Sequence, residues 1–141
     1  FVHAGLSARL LERNLEMDTL NARMSEGLYR TSKERREDPT LEFLYRSAGP
    51  VWYRGMVCTD EKYDPLTPEQ TDALLRRYDA DRLLVGHTIF PDISTFHDGR
   101  VIAVNVQNER NRRKNRGRAV LIEGSRISVV GNRGVKRVLE E

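Results

Sequence analysis

The sequence has one cysteine, three histidines and one tryptophan among its 141 residues. The single cysteine, Cys58, excludes an internal disulfide and a cysteine-rich zinc site. No apolar run approaches the roughly 20 residues that a membrane-spanning helix needs, so a span of that kind is excluded. With 38% hydrophobic and 32% charged residues, the chain is too apolar for a disordered segment, and its length is typical of one domain.

Positive charge is concentrated in one short segment. The net charge is +3, yet residues 109–118 alone hold six basic residues against one acidic residue. Such a local excess predicts an anion-facing loop on a mildly acidic body. The segment has no aromatic side chains among its cations on which bases could stack, so nucleic acid is not an expected partner.

Residues 1–50 are mainly helical by pattern. Leucines and methionines at helical spacing predict a long helix over 7–30 with Ser7 as its N-cap. The polar run over 31–39 is interpreted as a solvated loop, and Pro39 can open a short helix after it.

The clearest helix signal is the segment Thr67-Pro68-Glu69-Gln70. It combines an N-cap, a proline at the first helical position and a capping box, and it predicts a helix to about Tyr78. The pattern over residues 82–138 predicts mainly β-strands. Helices followed by strands predict a mixed α/β layered fold.

Strand-like segments cover residues 82–85, 100–106, 119–123 and 126–130. The continuous apolar run Val101-Ile102-Ala103-Val104 is typical of a strand covered on both faces. The pairs Asp98-Gly99 and Gly124-Ser125 are turn signals between strands.

Two histidines stand in similar surroundings. His3 and His87 each follow a strand-like segment and lie beside small residues, which predicts an imidazole at the carboxyl edge of a sheet. Metals and substrates bind at such edges in α/β proteins. Neutral imidazole is a common ligand of Zn, Mn and Fe, although a histidine taken alone is more often structural.

Three segments in this order resemble the C-terminal half of calcineurin-like metallophosphoesterases. They are Phe1-Val2-His3-Ala4-Gly5-Leu6-Ser7, Gly49-Pro50-Val51-Trp52-Tyr53-Arg54 and Leu84-Val85-Gly86-His87-Thr88. The resemblance covers essentially the whole chain and is greatest to the protein-phosphatase-like branch, which includes bacterial and Shewanella-like phosphatases. It implies that His3 and His87 ligate metal and that Arg54 holds the substrate phosphate.

The resemblance also implies a fold and a reaction. The fold would be half of a four-layer αββα sandwich, with helices first and then mixed or antiparallel strands. Residues 1–141 would form the C-terminal half of the catalytic domain, and a missing N-terminal half would be its partner. Two divalent ions (Mn, Fe or Zn), completed by residues absent from this chain, would activate a water that attacks phosphomonoesters of the Ser/Thr phosphoprotein type.

Further substrate contacts are predicted from Tyr53 and from the basic loop. The loop residues are Arg110, Arg112, Arg113, Lys114 and Arg116. Trp52 is expected to pack beneath its loop, and His97 to lie on the surface.

Two alternative functions stay open: a non-catalytic phospholigand- or RNA-binding relative, and a nucleotide polyphosphate hydrolase. The expected partner is a phosphorylated protein, with no membrane involved. The sequence identifies no compartment, and the cytoplasm is the default expectation.

Overall fold

Most of the helices lie in the first part of the chain and the strands in the second. The computed structural model describes residues 1–134 and 136–140. Its α-helices are α1 (Met17–Leu28), α2 (Ser32–Glu37), α3 (Pro39–Tyr45), α4 (Pro68–Arg77) and α5 (Asn108–Arg113). Its strands are β1 (Leu83–Val85), β2 (Ser94–Phe96), β3 (Val101–Ala103), β4 (Arg118–Glu123), β5 (Arg126–Gly131) and β6 (Lys136–Glu140). Short 3-10 helices lie at Ala8–Leu10, Glu61–Tyr63 and Asn132–Gly134.

The strands form two three-stranded sheets. In the first, ordered β1-β3-β2, β3 pairs parallel with β1 and antiparallel with β2. The second sheet is antiparallel, in the order β4-β5-β6. Within the described residues, no helix is both long and apolar enough to cross a bilayer.

Different partners bury the two faces of the mixed sheet. Val85 and Val101 pack with the helices in one core cluster. Leu84 and Ile102 point the other way, because strand side chains alternate between faces, and they pack against β5. The described residues are therefore arranged as a helical layer, a mixed sheet and an antiparallel sheet.

This arrangement corrects the predicted fold class. The described residues form a small α/β unit of three layers, and not half of a four-layer αββα sandwich. Ile127 and Val129 of β5 cover the second face of the mixed sheet, so this chain supplies both layers that bury the run 101–104. Helices α1 to α4 precede the strands, whereas α5 lies between β3 and β4.

The structure interrupts the long helix predicted over 7–30. A 3-10 turn at Ala8–Leu10 is followed by an irregular stretch, and α1 begins only at Met17. Ser7 is at the N-cap position of the 3-10 helix, but its side chain does not cap it, because the hydroxyl donates to the carbonyl of Ala48 at 2.7 Å. The predicted loop over 31–39 instead contains α2, which a capping box between Thr31 and Glu34 begins.

Two helices begin where the sequence predicts. Pro39 opens α3, and the Asp38 side chain accepts from two backbone N–H groups of its first turn. Thr67 and Gln70 form the predicted capping box of α4. Both starts rest on local hydrogen bonds, which is why the sequence alone reveals them.

Gly49 closes the turn between α3 and the following loop, and it leaves no room for a side chain. A Cβ there would lie 2.1 Å from the carbonyl oxygen of Leu44 and 2.5 Å from that of Phe43. We expect Gly49→Ala to lower the free energy of unfolding by about 1–3 kcal/mol, because backbone must move to admit the methyl group. Urea unfolding measures this, with the exposed neighbour Ser47→Ala as the control; equal stability of the two variants would contradict the expectation.

Candidate phosphate-binding site

The two histidines leave adjacent parallel strands at the same edge of the mixed sheet. Val2 lies beside Val85 in a parallel bridge, and its N–H donates to the carbonyl of Leu84 at 3.0 Å. The N–H of Gly86 donates in turn to the carbonyl of His3 at 3.0 Å. Because the strands run in the same direction, His3 and His87 both emerge at the carboxyl edge.

The loop that carries Arg54 is held to this edge by the backbone. The N–H of Ala4 donates to the carbonyl of Pro50 at 2.9 Å. Gly5 lets the loop approach closely, since a Cβ on it would lie 3.0 Å from the carbonyl oxygen of Tyr53. These contacts place Arg54 beside the histidines, although it is more than 30 residues from His87 in sequence.

His3, Arg54 and His87 form one hydrogen-bonded array, which we call the His–Arg cluster. Nε2 of His3 lies 3.1 Å from Nδ1 of His87, and Nε2 of His87 lies 3.0 Å from Nη2 of Arg54. Trp52 packs edge-on against the His87 ring, with 5.2 Å between ring centroids. The structure thus brings together all three residues that the sequence singles out.

The partners of His87 determine its protonation. A guanidinium can only donate, so Nε2 of His87 accepts from Arg54, and the proton of the neutral ring lies on Nδ1, which donates to His3. A second proton on His87 would face the guanidinium. Burial, and then the charges of Arg54 and His3, lower the pKa of His87 below its ordinary value, which keeps the imidazole neutral.

The described residues do not by themselves make up a metal centre. Both ring nitrogens of His87 are engaged, one by Arg54 and one by His3. No group of three or more His, Cys, Asp or Glu side chains that could hold a metal ion occurs in the part of the chain that the structure describes. A guanidinium in direct contact with His87 also disfavours a divalent cation at that nitrogen.

An open cleft of about 760 Å³ adjoins the His–Arg cluster. Trp52 and Arg54 line the end nearest the cluster, and Lys62 and Tyr63 belong to the same lining. Trp52 is 53% exposed, so the prediction that it packs beneath its loop is wrong. The exposed indole and the cluster together can accommodate an aromatic group and an attached anion.

Two further predicted contacts are Tyr53 and the basic loop. Tyr53 belongs to the lining of the cleft, but its side chain is almost fully buried. Its hydroxyl donates to the carbonyl of Asp64 at 2.5 Å, and burial raises the pKa of this phenol, so the ring supports the loop. The basic loop forms α5 and the turn after it. The cations there are exposed, and Arg113 pairs with Glu109 at 3.0 Å.

His97 is not a simple surface residue. Its Nε2 lies 3.1 Å from the Met56 carbonyl, and its Nδ1 lies 3.2 Å from the hydroxyl of the buried Thr71. The imidazole therefore connects the β2–β3 turn to α4 and to the loop after Arg54. No periodic pattern points to this role, because its two partners come from separate segments that are distant from it in sequence.

The chain is similar to solved structures of one kind of enzyme. A structure of a cold-active protein tyrosine phosphatase is 27% identical with a TM-score of 0.83, over 99% of this chain and 39% of that chain. A point mutant and a cold-active protein tyrosine phosphatase of a psychrophilic Shewanella species are each 26% identical with a TM-score of 0.82, over 98% of this chain and 39% of theirs. These neighbours are phosphatases. No family model and no curated protein matches the chain.

The neighbours correct the family and cofactor predictions. They are described as protein tyrosine phosphatases, whereas the motifs predict a calcineurin-like metallophosphoesterase of the Ser/Thr type. The predictions of that family, of its two divalent ions and of its four-layer fold are therefore wrong. The coarser prediction, a phosphatase class, is the part that the neighbours support. The chain spans 39% of the length of these neighbours.

Proposed function

We propose that this chain provides the phosphate-binding part of a phosphatase that acts on phosphotyrosine in proteins. The observation that carries the proposal is the His–Arg cluster. Beside it, the exposed Trp52 lines an open cleft. Solved structures described as protein tyrosine phosphatases share the fold over nearly the whole chain, which supports the same substrate class.

Arg54 is the group suited to the phosphate. Its planar guanidinium can donate two parallel hydrogen bonds to non-bridging oxygens and offset the charge that they carry in the transition state. In the described residues no carboxylate forms an ion pair with Arg54, whose polar partner is Nε2 of His87. The guanidinium is thus available to an anion.

His87 is the group suited to moving a proton. Hydrolysis forms a bond from a water oxygen to phosphorus and breaks the bond from phosphorus to the tyrosine oxygen. When a phosphate engages Arg54, Nε2 of His87 loses its donor and can accept the proton that the water releases. The protonated His87 ring then releases this proton to solvent water, and the leaving phenolic oxygen takes up one proton from solvent, so the ring returns to its neutral form and no net proton is gained or lost.

The basic residues near α5 are a second, weaker source of affinity in this proposal. Arg110, Arg112, Arg113, Lys114 and Arg116 follow β3, which runs parallel to β1 and so ends at the edge where His87 emerges. Exposed cations near a site raise the local concentration of an anionic protein segment. Their effect on binding is expected to weaken as salt screens the charges.

The direct experiment compares two peptides of identical sequence that carry phosphotyrosine or phosphoserine. We expect the protein to release phosphate from the phosphotyrosine peptide with a kcat/KM about fivefold higher or more, because an aromatic contact with Trp52 contributes about 0.5–1.5 kcal/mol. Trp52→Leu is expected to reduce this preference, with Tyr29→Leu, another exposed aromatic residue, as the matched control.

Three results would contradict the proposal. Equal rates on both peptides would remove the tyrosine preference, and release from phosphoserine alone would reverse it. Saturable binding of the phosphotyrosine peptide without release of phosphate would indicate a phospholigand-binding module in place of an enzyme.

A further inference from the structure

The cleft beside the His–Arg cluster is lined by an excess of positive charge. Arg9, Arg46 and Lys62 line it together with Arg54, whereas Asp64 is the acidic residue of that lining. These cations come from three separate parts of the chain: the 3-10 helix Ala8–Leu10, the turn after α3, and the segment after Arg54. The fold, and no single motif, brings them together.

The cations are only weakly neutralised by their neighbours. Arg46 pairs with Glu42 at 3.3 Å, and the side chains are 60% and 44% exposed. Lys62 pairs with Asp60 at 2.8 Å, also at the surface. Exposed pairs of this kind are weak, so an incoming carboxylate can compete for either cation. Arg9 forms no ion pair with the other described residues.

We propose that this cleft binds acidic residues flanking the phosphotyrosine of a protein substrate, so that the protein prefers phosphotyrosine in an acidic sequence. The inference rests on the proposed function, because Arg54 must hold the phosphate to align the flanking residues with the cleft. A cleft of about 760 Å³ has room for side chains beyond the phosphorylated one. Its charge complements carboxylates, and the ring of Tyr63, which Lys62 approaches to 4.9 Å, provides an apolar contact beneath them.

The test measures a ratio of rates. Two phosphotyrosine peptides are compared, one with glutamates on both sides of the phosphotyrosine and one with glutamines. We expect kcat/KM to be about tenfold higher for the glutamate peptide at low salt, because two or three weak charge pairs act together. In the double variant Arg9→Gln and Arg46→Gln, the ratio is expected to fall to about twofold.

The matched control is Arg76→Gln, since Arg76 is an exposed cation on α4 that does not line the cleft. It is expected to keep the wild-type ratio. A ratio near one in the wild-type protein, with both peptides hydrolysed, would overturn the inference and leave the proposed function intact. An equal fall of the ratio in the Arg76→Gln control would also overturn it, because net charge and not the cleft would then explain the preference.

A binding measurement separates failure of the inference from failure of catalysis. Trp52 is the single tryptophan of the chain and lines the cleft, so its fluorescence reports what binds there. Unphosphorylated glutamate and glutamine peptides are titrated, and the glutamate peptide is expected to change the emission at a lower concentration. If neither phosphopeptide is hydrolysed, the proposed function fails. If the glutamate peptide also has no advantage in the fluorescence titration, the inference fails with it.

Discussion

Arg54→Ala is expected to lower kcat/KM on a phosphotyrosine peptide by about 10²–10³-fold, the range found for loss of one strong donor to a transition-state oxyanion. The guanidinium lies at the end of the cleft, bonded to His87 at 3.0 Å and close to the Tyr63 ring. No other described cation is bonded to His87, so a neighbouring residue is not expected to replace it. Most of the loss should be in kcat, because the charge that Arg54 offsets grows as the transition state forms.

Arg54→Lys and Arg76→Ala are the comparison variants. The lysine keeps the charge but loses the planar fork, so its kcat/KM is expected to lie between those of the wild-type and alanine proteins. Arg76→Ala removes an exposed cation on α4 and is expected to have wild-type kinetics. A change of less than roughly threefold in Arg54→Ala, in a protein with native circular dichroism, would place Arg54 outside the site.

His87→Asn is expected to reduce kcat by about 10²–10⁴-fold, the usual range for loss of a residue that transfers a proton. Asparagine is the suitable replacement because His87 has a φ of 57°, and asparagine tolerates this left-handed backbone region better than most residues. The substitution therefore removes the titrating ring with little added strain. Steady-state kinetics, with thermal unfolding as the check on the fold, measure the effect.

The pH profile distinguishes a proton-transfer role from a structural one. Burial is the largest influence that lowers the pKa of His87, followed by Arg54 and His3. Activity that needs the neutral ring is therefore present at neutral pH and falls only below the ordinary histidine value of about 6.5. In His87→Asn this acid limb is expected to disappear; an acid limb that persists unchanged would assign it to another group.

The same pKa shift links stability to pH. His87 binds a proton more weakly in the folded protein than in the unfolded chain, so the unfolded chain holds more protons as the pH decreases. The stabilisation is present above the unfolded pKa and is lost as the pH falls through the lower, folded value. His87→Asn should therefore lose less stability on acidification than the wild-type protein.

Local signals in the sequence predict two helix starts correctly. Pro39 begins α3, and the Thr67 capping box begins α4, because each requires only residues within one turn. The prediction of a strand covered on both faces is confirmed for residues 101–103, since a strand buried on both sides needs apolar side chains at every position. The helix predicted over 7–30 is confirmed for Met17–Leu28 and wrong before it, where the Ser7 hydroxyl bonds to the distant carbonyl of Ala48.

The three short motifs predict the proximity of their residues better than they predict the family. His3, Arg54 and His87 were singled out from short segments, and the structure joins them in one hydrogen-bonded array. The family and the metal ions inferred from the same segments were corrected, because the neighbours are described as protein tyrosine phosphatases. Short segments of this kind can point to side chains that meet in the fold without determining the reaction, because unrelated functions share folds and residue types.

The sequence by itself determined the starts of α3 and α4, the burial of the apolar strand that begins at Val101 and the choice of three candidate site residues. Each depends on neighbours in sequence or on a side chain's own chemistry. Only the tertiary structure decided the exposure of Trp52, the burial of Tyr53 and the convergence of Arg9, Arg46 and Lys62 on one cleft. These features join residues tens of positions apart, and their contacts arise when the helical layer closes on the mixed sheet and buries apolar surface.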